Sequence, residues 1–235
     1  MNQRPQLYPN SHTSVSVRQG LFYLGGAILL LGFLGGIWWL NREAPPTAVV
    51  WEEFYFSPTE DNFFENPANW MPAYPGTHIP PQSRLIVQGV AYLTDYDLTV
   101  SGQLQIAMDG QLFSSKGSLI LEERAQLANE GELILHRIEN RGQLFNRAAA
   151  SLNVHHYDAM PGAITRNFKG ASFVVNQQLR NQGLFDNYGQ CSVRLRFENE
   201  ATFNQLNGSE LMIQGEQIQA CLAPACQERR ELCLL

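Results

Sequence analysis

His155-His156-Tyr157-Asp158 is the one local cluster in the chain whose residue types could bind a metal ion or move a proton. Imidazole nitrogens suit zinc and similar ions, and a carboxylate beside them suits either task. Strand geometry works against a shared ion. Successive side chains on a strand face opposite ways, so His155 and His156 would part company. The same rule separates Glu122 from Glu123. Asp95 and Asp97 have same-face spacing and are the best enzyme or calcium candidates in the chain. Glycoside hydrolysis needs two carboxylates about 5–9.5 Å apart on one groove, and strand-borne acids here are few. There is no Gly-x-Ser-x-Gly, no phosphate loop and no His-Glu-x-x-His. The expectation is a protein without catalytic residues, metal ligands or cofactor.

Cys191, Cys221, Cys226 and Cys233 are the four cysteines. The run Cys221-x4-Cys226-x6-Cys233 matches no familiar zinc or cluster spacing well. Disulfide closure is the better reading, with three pairings open. Cys221–Cys226 is the preferred local pair, and Cys191 would tie the last coil to the tail.

The elements that must position these residues are short strands between Asn/Gly corners. The unit Asn-x-Gly-x-Leu is stated at Asn129 and again at Asn140, and returns in Asn181-Gln-Gly183-Leu-Phe185. From Leu85 onward apolar residues alternate with polar ones, the period-2 signature of half-buried strands. Leu104 and Ile106, Leu119 and Leu121, Leu133 and Leu135 all follow it. Val193, Leu195 and Phe197 alternate with Arg194 and Arg196, which places two cations on one face and three apolar residues on the other. Gly102, Gly110, Gly117, Gly131, Gly142, Gly183, Gly189 and Gly208 mark corners, where a left-handed backbone is expected. Three strand-plus-corner sides make a coil of about 20–24 residues, a solenoid repeat length. Gly102–Gly215 then holds roughly five coils. Frequent, similar corners and very short strands favour a solenoid over a hairpin sandwich. Asn129, Asn140 and Asn146 read as members of an asparagine ladder along the axis, and Leu133, Leu135 and Leu144 as core. The pattern breaks at Val154–Lys169, which reads as a loop projecting from the solenoid and carrying an interaction site at His155, His156, Tyr157 and Asp158.

Leu21–Leu40 holds no charge across its length and ends in Ile-Trp-Trp-Leu. A helix of that length spans about 30 Å, the hydrocarbon thickness of a bilayer. It is longer than a signal peptide's apolar core and reads as an uncleaved anchor. Arg4 and Arg18 precede it and only Arg42 follows closely, which places the body outside the cytoplasm. Gly32 and Gly36 form a Gly-x-x-x-Gly pair suited to helix packing. Charged residues make up 16% of the chain. Three of the 16 Lys and Arg precede Glu43, leaving 13 against 22 acids and a net charge of −9 on the remainder. Such a body excludes nucleic acid as a partner, because phosphate binding wants a basic face.

Trp51–Pro81 is dense in aromatics and proline and reads as a cap over the solenoid's first coil. Within it, Asn62-Phe-Phe-Glu-Asn66-Pro-Ala-Asn69-Trp70, followed by Pro72, Pro75 and Leu85-Ile-Val87, resembles a leader of bacterial surface proteins. There an Asn-Pro-x-Asn-Trp segment precedes Asn/Gly-rich β-solenoid coils. The ectodomain of amnionless, a membrane-anchored endocytic-receptor subunit, is similar in plan. That resemblance covers about Trp51 to Gly215 and implies a fold more than a function.

The expected organisation is a short cytoplasmic tail (1–20), a transmembrane α-helix (21–40), a linker (41–50), an aromatic cap (51–84), an all-β right-handed parallel β-helix (85–215) and a Cys-containing cap (216–235). The expected role is a non-catalytic scaffold of the envelope or cell surface, membrane-anchored and single-pass, binding a protein or glycan. A carbohydrate-active enzyme on the same fold, or an accessory subunit of a larger membrane complex, are the alternatives.

Overall fold

The computed structural model describes residues 51–59, 61–206 and 208–219. The expected tail, membrane span with Gly32 and Gly36, linker and the cysteines Cys221, Cys226 and Cys233 lie outside them. Among the described residues no helix is long and apolar enough to cross a membrane.

Alternation of residue type becomes alternation of burial. In Gln103–Ile106 the glutamines face out while Leu104 and Ile106 are buried. This strand pairs in parallel with Gln126–Asn129, which pairs in turn with Gln143–Asn146. The chain advances 23 and then 17 residues between these rungs. Later advances are 21, 20 and 18 residues. The result is a parallel β-solenoid of about seven turns. Its first face is a nine-stranded sheet; the second and third faces share a twelve-stranded one, because long strands cross between them. Glu132–Asn140 and Ser151–Ala159 are such strands. Strand length does not fix coil length: the 17-residue coil holds Glu132–Asn140, while the 21-residue coil after it holds Ser151–Ala159.

The interior is a stack of like residues. Leu85, Leu104, Leu127 and Leu144 lie in register, followed by Thr165, Phe185 and Phe203. Each fully buried apolar side chain contributes about 1.5–3 kcal/mol. Aromatics fill the later coils, with ring centres 5.0 Å apart for Tyr157 and Phe173 and 5.2 Å for Phe173 and Phe185.

The Asn-x-Gly unit has a mechanical meaning at two of the three corners. At one, Asn129 Oδ1 accepts the Gly131 N–H at 3.3 Å; at the other, Asn140 Oδ1 accepts that of Gly142 at 3.0 Å and Asn181 Oδ1 that of Gly183 at 3.2 Å. The amide then reaches along the axis. Asn129 Nδ2 donates to Asn146 Oδ1 at 2.8 Å, Asn146 to Asn167 at 2.9 Å and Asn167 to Asn187 at 2.8 Å. All four are fully buried. Asn140 belongs to a different column, at the other corner, with Asn181 and Asn199. Ala159 interrupts that column. There the Tyr157 hydroxyl takes the missing place, bonding Thr165 Oγ1 and accepting from Asn140 Nδ2 at 3.1 Å.

The repeated corner glycines answer to space rather than to backbone sign. Positive φ occurs at Gly76, Gly89, Gly162, Gly170 and Gly208. Gly102, Gly110, Gly131, Gly142 and Gly183 are not among them. Instead a β-carbon at Gly142 would lie 2.4 Å from Ala125 O and 2.5 Å from Glu122 O. The preceding coil's carbonyls occupy the room a side chain would need.

Glu52–Phe56 pairs in parallel with Ser83–Val87, so the first strand of the aromatic segment is already a solenoid rung. The rest plugs the end. Trp70 packs edge-on against Phe56 and Phe64, with ring centres 5.1 and 4.6 Å away, and its Nε1 donates to Phe64 O at 2.6 Å. Asn66 caps the 3-10 turn Pro67–Asn69 by accepting from Ala68 N. Asn69 is buried, and its amide donates to Asp61 and to Phe63 O while its Oδ1 accepts from Thr59 N. Both asparagines of the Asn-Pro-x-Asn-Trp segment thus satisfy backbone at the bend, Asn69 from a buried position and Asn66 from a half-buried one. At the far end Glu216–Gln219 pairs with Arg196–Asn199, so the solenoid continues past Gly215.

Val154–Lys169 is not a projecting loop. It contains the end of Ser151–Ala159 and the strand Ile164–Asn167, joined by a tight corner at Met160-Pro-Gly162 where Ala163 N donates to Met160 O at 3.0 Å. The segment departs from the pattern because its strand turns a corner that carries no Asn-Gly mark.

Candidate functional site

That unmarked corner, between the second and third faces, gathers His155, His156, Asp95 and Asp97 from the side chains singled out for chemistry. Along Glu132–Asn140 burial alternates except at His136 and Arg137, which both face out. Along Ser151–Ala159 the same slip occurs at His155 and His156. A strand that bends through a corner turns its face, so two neighbours share the outer side. The sequence rule that parted the two histidines holds for a straight strand only. In the next coil Asn176, Gln177 and Gln178 all lie outside, and pairing shifts register between Val154 and His156. Then come Arg194, Leu195 and Arg196, all exposed. Leu195 is 61% exposed and leaves the inner face to Val193 and Phe197, against the alternation expected of it. Lys116, Asp95 and Asp97 begin the ridge at the capped end.

Stacking adds a residue that sequence reasoning passed over. Leu135 pairs with Val154 and Arg137 with His156, which sets His136 opposite His155. The His136 ring centre lies 5.6 Å from that of His155 and 5.5 Å from that of His156. Partial burial, and then the neighbouring His136, hold the His156 imidazole below its ordinary pKa. Among the described residues no three His, Cys, Asp or Glu side chains already surround one point.

The other expected members part from this group. Tyr157 is fully buried core, and burial pushes its hydroxyl far up. Asp158 faces outward on the third face and pairs with Arg137 at 2.7 Å. Asp95 pairs with Lys116 at 3.0 Å, and Asp97 Oδ1 accepts the Ser118 N–H at 2.7 Å. These carboxylates hold the corner rather than face each other across a groove.

One more constellation lies at the opposite corner. Ser101, Glu122, Glu123, Arg124, Arg141 and Pro81 line an open hollow of about 470 Å³. His78 Nε2 stands 3.4 Å from Ser101 Oγ, whose hydroxyl also donates to Glu122. A nucleophilic triad needs the histidine in the middle, held by the acid on one nitrogen and taking the serine proton on the other. Here the serine is in the middle, so the acid does not orient the base.

Cys191 is a free thiol, 2% exposed, at an inward position of Gln190–Val193. Burial pushes it up to about 12. It is a core residue; the tail cysteines it was expected to join lie outside the described residues. The peptide bearing Cys191 should therefore stay unlabelled when native protein meets iodoacetamide at mildly alkaline pH, and label fully in denaturant. Labelling at equal rates in both would contradict this packing.

The chain matches no protein-family model, no curated protein and no solved structure.

Proposed function

We infer that the protein is a non-catalytic scaffold of the cell envelope or surface, anchored by Leu21–Leu40 with its body outside the cytoplasm. It offers the unmarked corner as a straight docking ridge to a protein partner. The observation that carries this reading is the concentration of unlike, exposed side chains on one corner of an otherwise uniform stack. Leu195 stands between Arg194 and Arg196, an apolar anchor with flanking guanidinium groups. Arginine and exposed apolar anchors are what interface centres favour. A rigid ridge also spares the partner the entropic cost of ordering a loop. The right-handed sense follows the general rule for parallel crossovers. The side-chain-to-backbone bonding of Asn66, Asn69 and Trp70 supports reading that segment as the leader unit of the surface proteins it resembles.

The test is site-directed photocrosslinking in intact membranes. A crosslinker at Leu195 or Gln177 should capture one discrete protein, while one at Gln126 on the first face should not. Capture from Gln126 alone, or a glycan adduct in place of a protein, would overturn the assignment. Removal of residues 1–40 should release the body to the soluble fraction; retention in the membrane after alkaline wash would count against the anchor.

A further inference from the structure

We propose that His136, His155 and His156 form a binding site for one divalent transition-metal ion of the zinc class, built across two successive coils. The three imidazoles come from neighbouring rungs whose spacing is set by parallel backbone pairing. Two imidazoles that share a tetrahedral ion, with Zn–N bonds of about 2.1 Å, hold their ring centres about 5 Å apart. His136 already stands 5.6 and 5.5 Å from its two neighbours. What the free site lacks is convergence of the nitrogens. His155 is exposed and His136 and His156 are half-buried, so ring rotation meets little resistance and occurs in picoseconds to nanoseconds at exposed positions.

The surrounding charge permits a cation. Arg137, in register with His156, is offset by its pairing with Asp158 at 2.7 Å, and Lys116 on the preceding coil by its pairing with Asp95 at 3.0 Å; Arg194 and Arg196 lie on a later coil of the same corner. Glu139 is paired with Arg141 on the same face. Three neutral nitrogen ligands suit zinc, cobalt, nickel or copper, and disfavour calcium and magnesium, which want oxygen. The fourth position of a tetrahedral ion would be left to water. The site stands whether or not the ridge docks a partner.

The full-length chain, purified in detergent and stripped with chelator, is titrated with Zn²⁺ alone and with Co²⁺ as a spectroscopic probe. One equivalent of Zn²⁺ should bind in the micromolar range or tighter. The Co²⁺ complex should show visible d–d bands without a thiolate charge-transfer band. His136→Ala and His155→Ala should each weaken binding by more than the roughly 10- to 100-fold that second-shell changes cost, with circular dichroism unchanged. A variant with serine at Cys221, Cys226 and Cys233 should bind as the parent does. Absence of binding in the parent would overturn the proposal. So would binding that the cysteine variant abolishes and the histidine variants leave intact.

Discussion

Gly131→Ala should lower the stability of the folded body by about 3 kcal/mol or more, at the severe end for one added methyl. A β-carbon at Gly131 falls 2.1 Å from Gly110 O and 2.3 Å from Ala107 O. Neither oxygen is free to retreat. Gly110 O accepts from Glu132 N at 3.0 Å, and Ala107 O accepts from Gly110 N at 2.8 Å. Moving them means prising two coils apart at a corner where neighbouring rungs are bonded on both sides. Gly170→Ala is the control. There φ is +81° and the nearest atom to a β-carbon lies 3.9 Å away, so only backbone strain of about 1–2 kcal/mol is expected. Denaturation midpoints should rank parent, then Gly170→Ala, then Gly131→Ala. Because coils in a stack can open separately, hydrogen exchange on Gln111–Ser114 and Glu132–Asn140 should report the loss locally. Equal midpoints for Gly131→Ala and the parent would show that the coils do not approach so closely.

Asn146→Asp should be worse than Asn146→Ala at neutral pH, although it keeps the shape. Asn146 Nδ2 donates to Asn167 Oδ1 at 2.9 Å and to Ser172 O at 2.8 Å. A carboxylate has no donor to give and would face both oxygens from a fully buried site. An uncompensated buried charge costs about 3–5 kcal/mol, whereas alanine leaves unpaired partners at about 1–3 kcal/mol. The pH dependence separates the two. Burial and the facing oxygens raise the new carboxyl's pKa in the folded state above the unfolded value of about 3.9. The folded state therefore binds the extra proton more readily. The penalty is complete above the folded pKa and shrinks as pH falls toward the unfolded one. Once protonated, the group regains a donor. Unfolding midpoints taken from neutral pH down to about pH 4 should converge on those of the alanine variant. A constant gap across that range would mean that the ladder amides carry no directional load.

Much of this was legible in residue order. Alternation in stretches such as Gln103–Ile106 is a local property, and burial drives it one way only, so the strands and their inner residues could be read directly. Asn-x-Gly is local too, since the side chain bonds the backbone two residues on. The capping role of Trp70 and Asn69 followed from the need to cover a first coil. Three things were not local. Corner glycines are required by the carbonyls of another coil, which no neighbour in sequence reveals. The outward slip at His155-His156 comes from a strand bending around a core that Tyr157 and Val154 fill from inside. The partnership of His136 with both depends on how far the chain advances per coil. That advance varies between 17 and 23 residues, so no fixed period could announce it. Sequence by itself determined the strands, the corners and the polar sense of each face. Only stacking decided which corners lie beside one another, because backbone pairing between coils sets register at a distance that local chemistry does not encode.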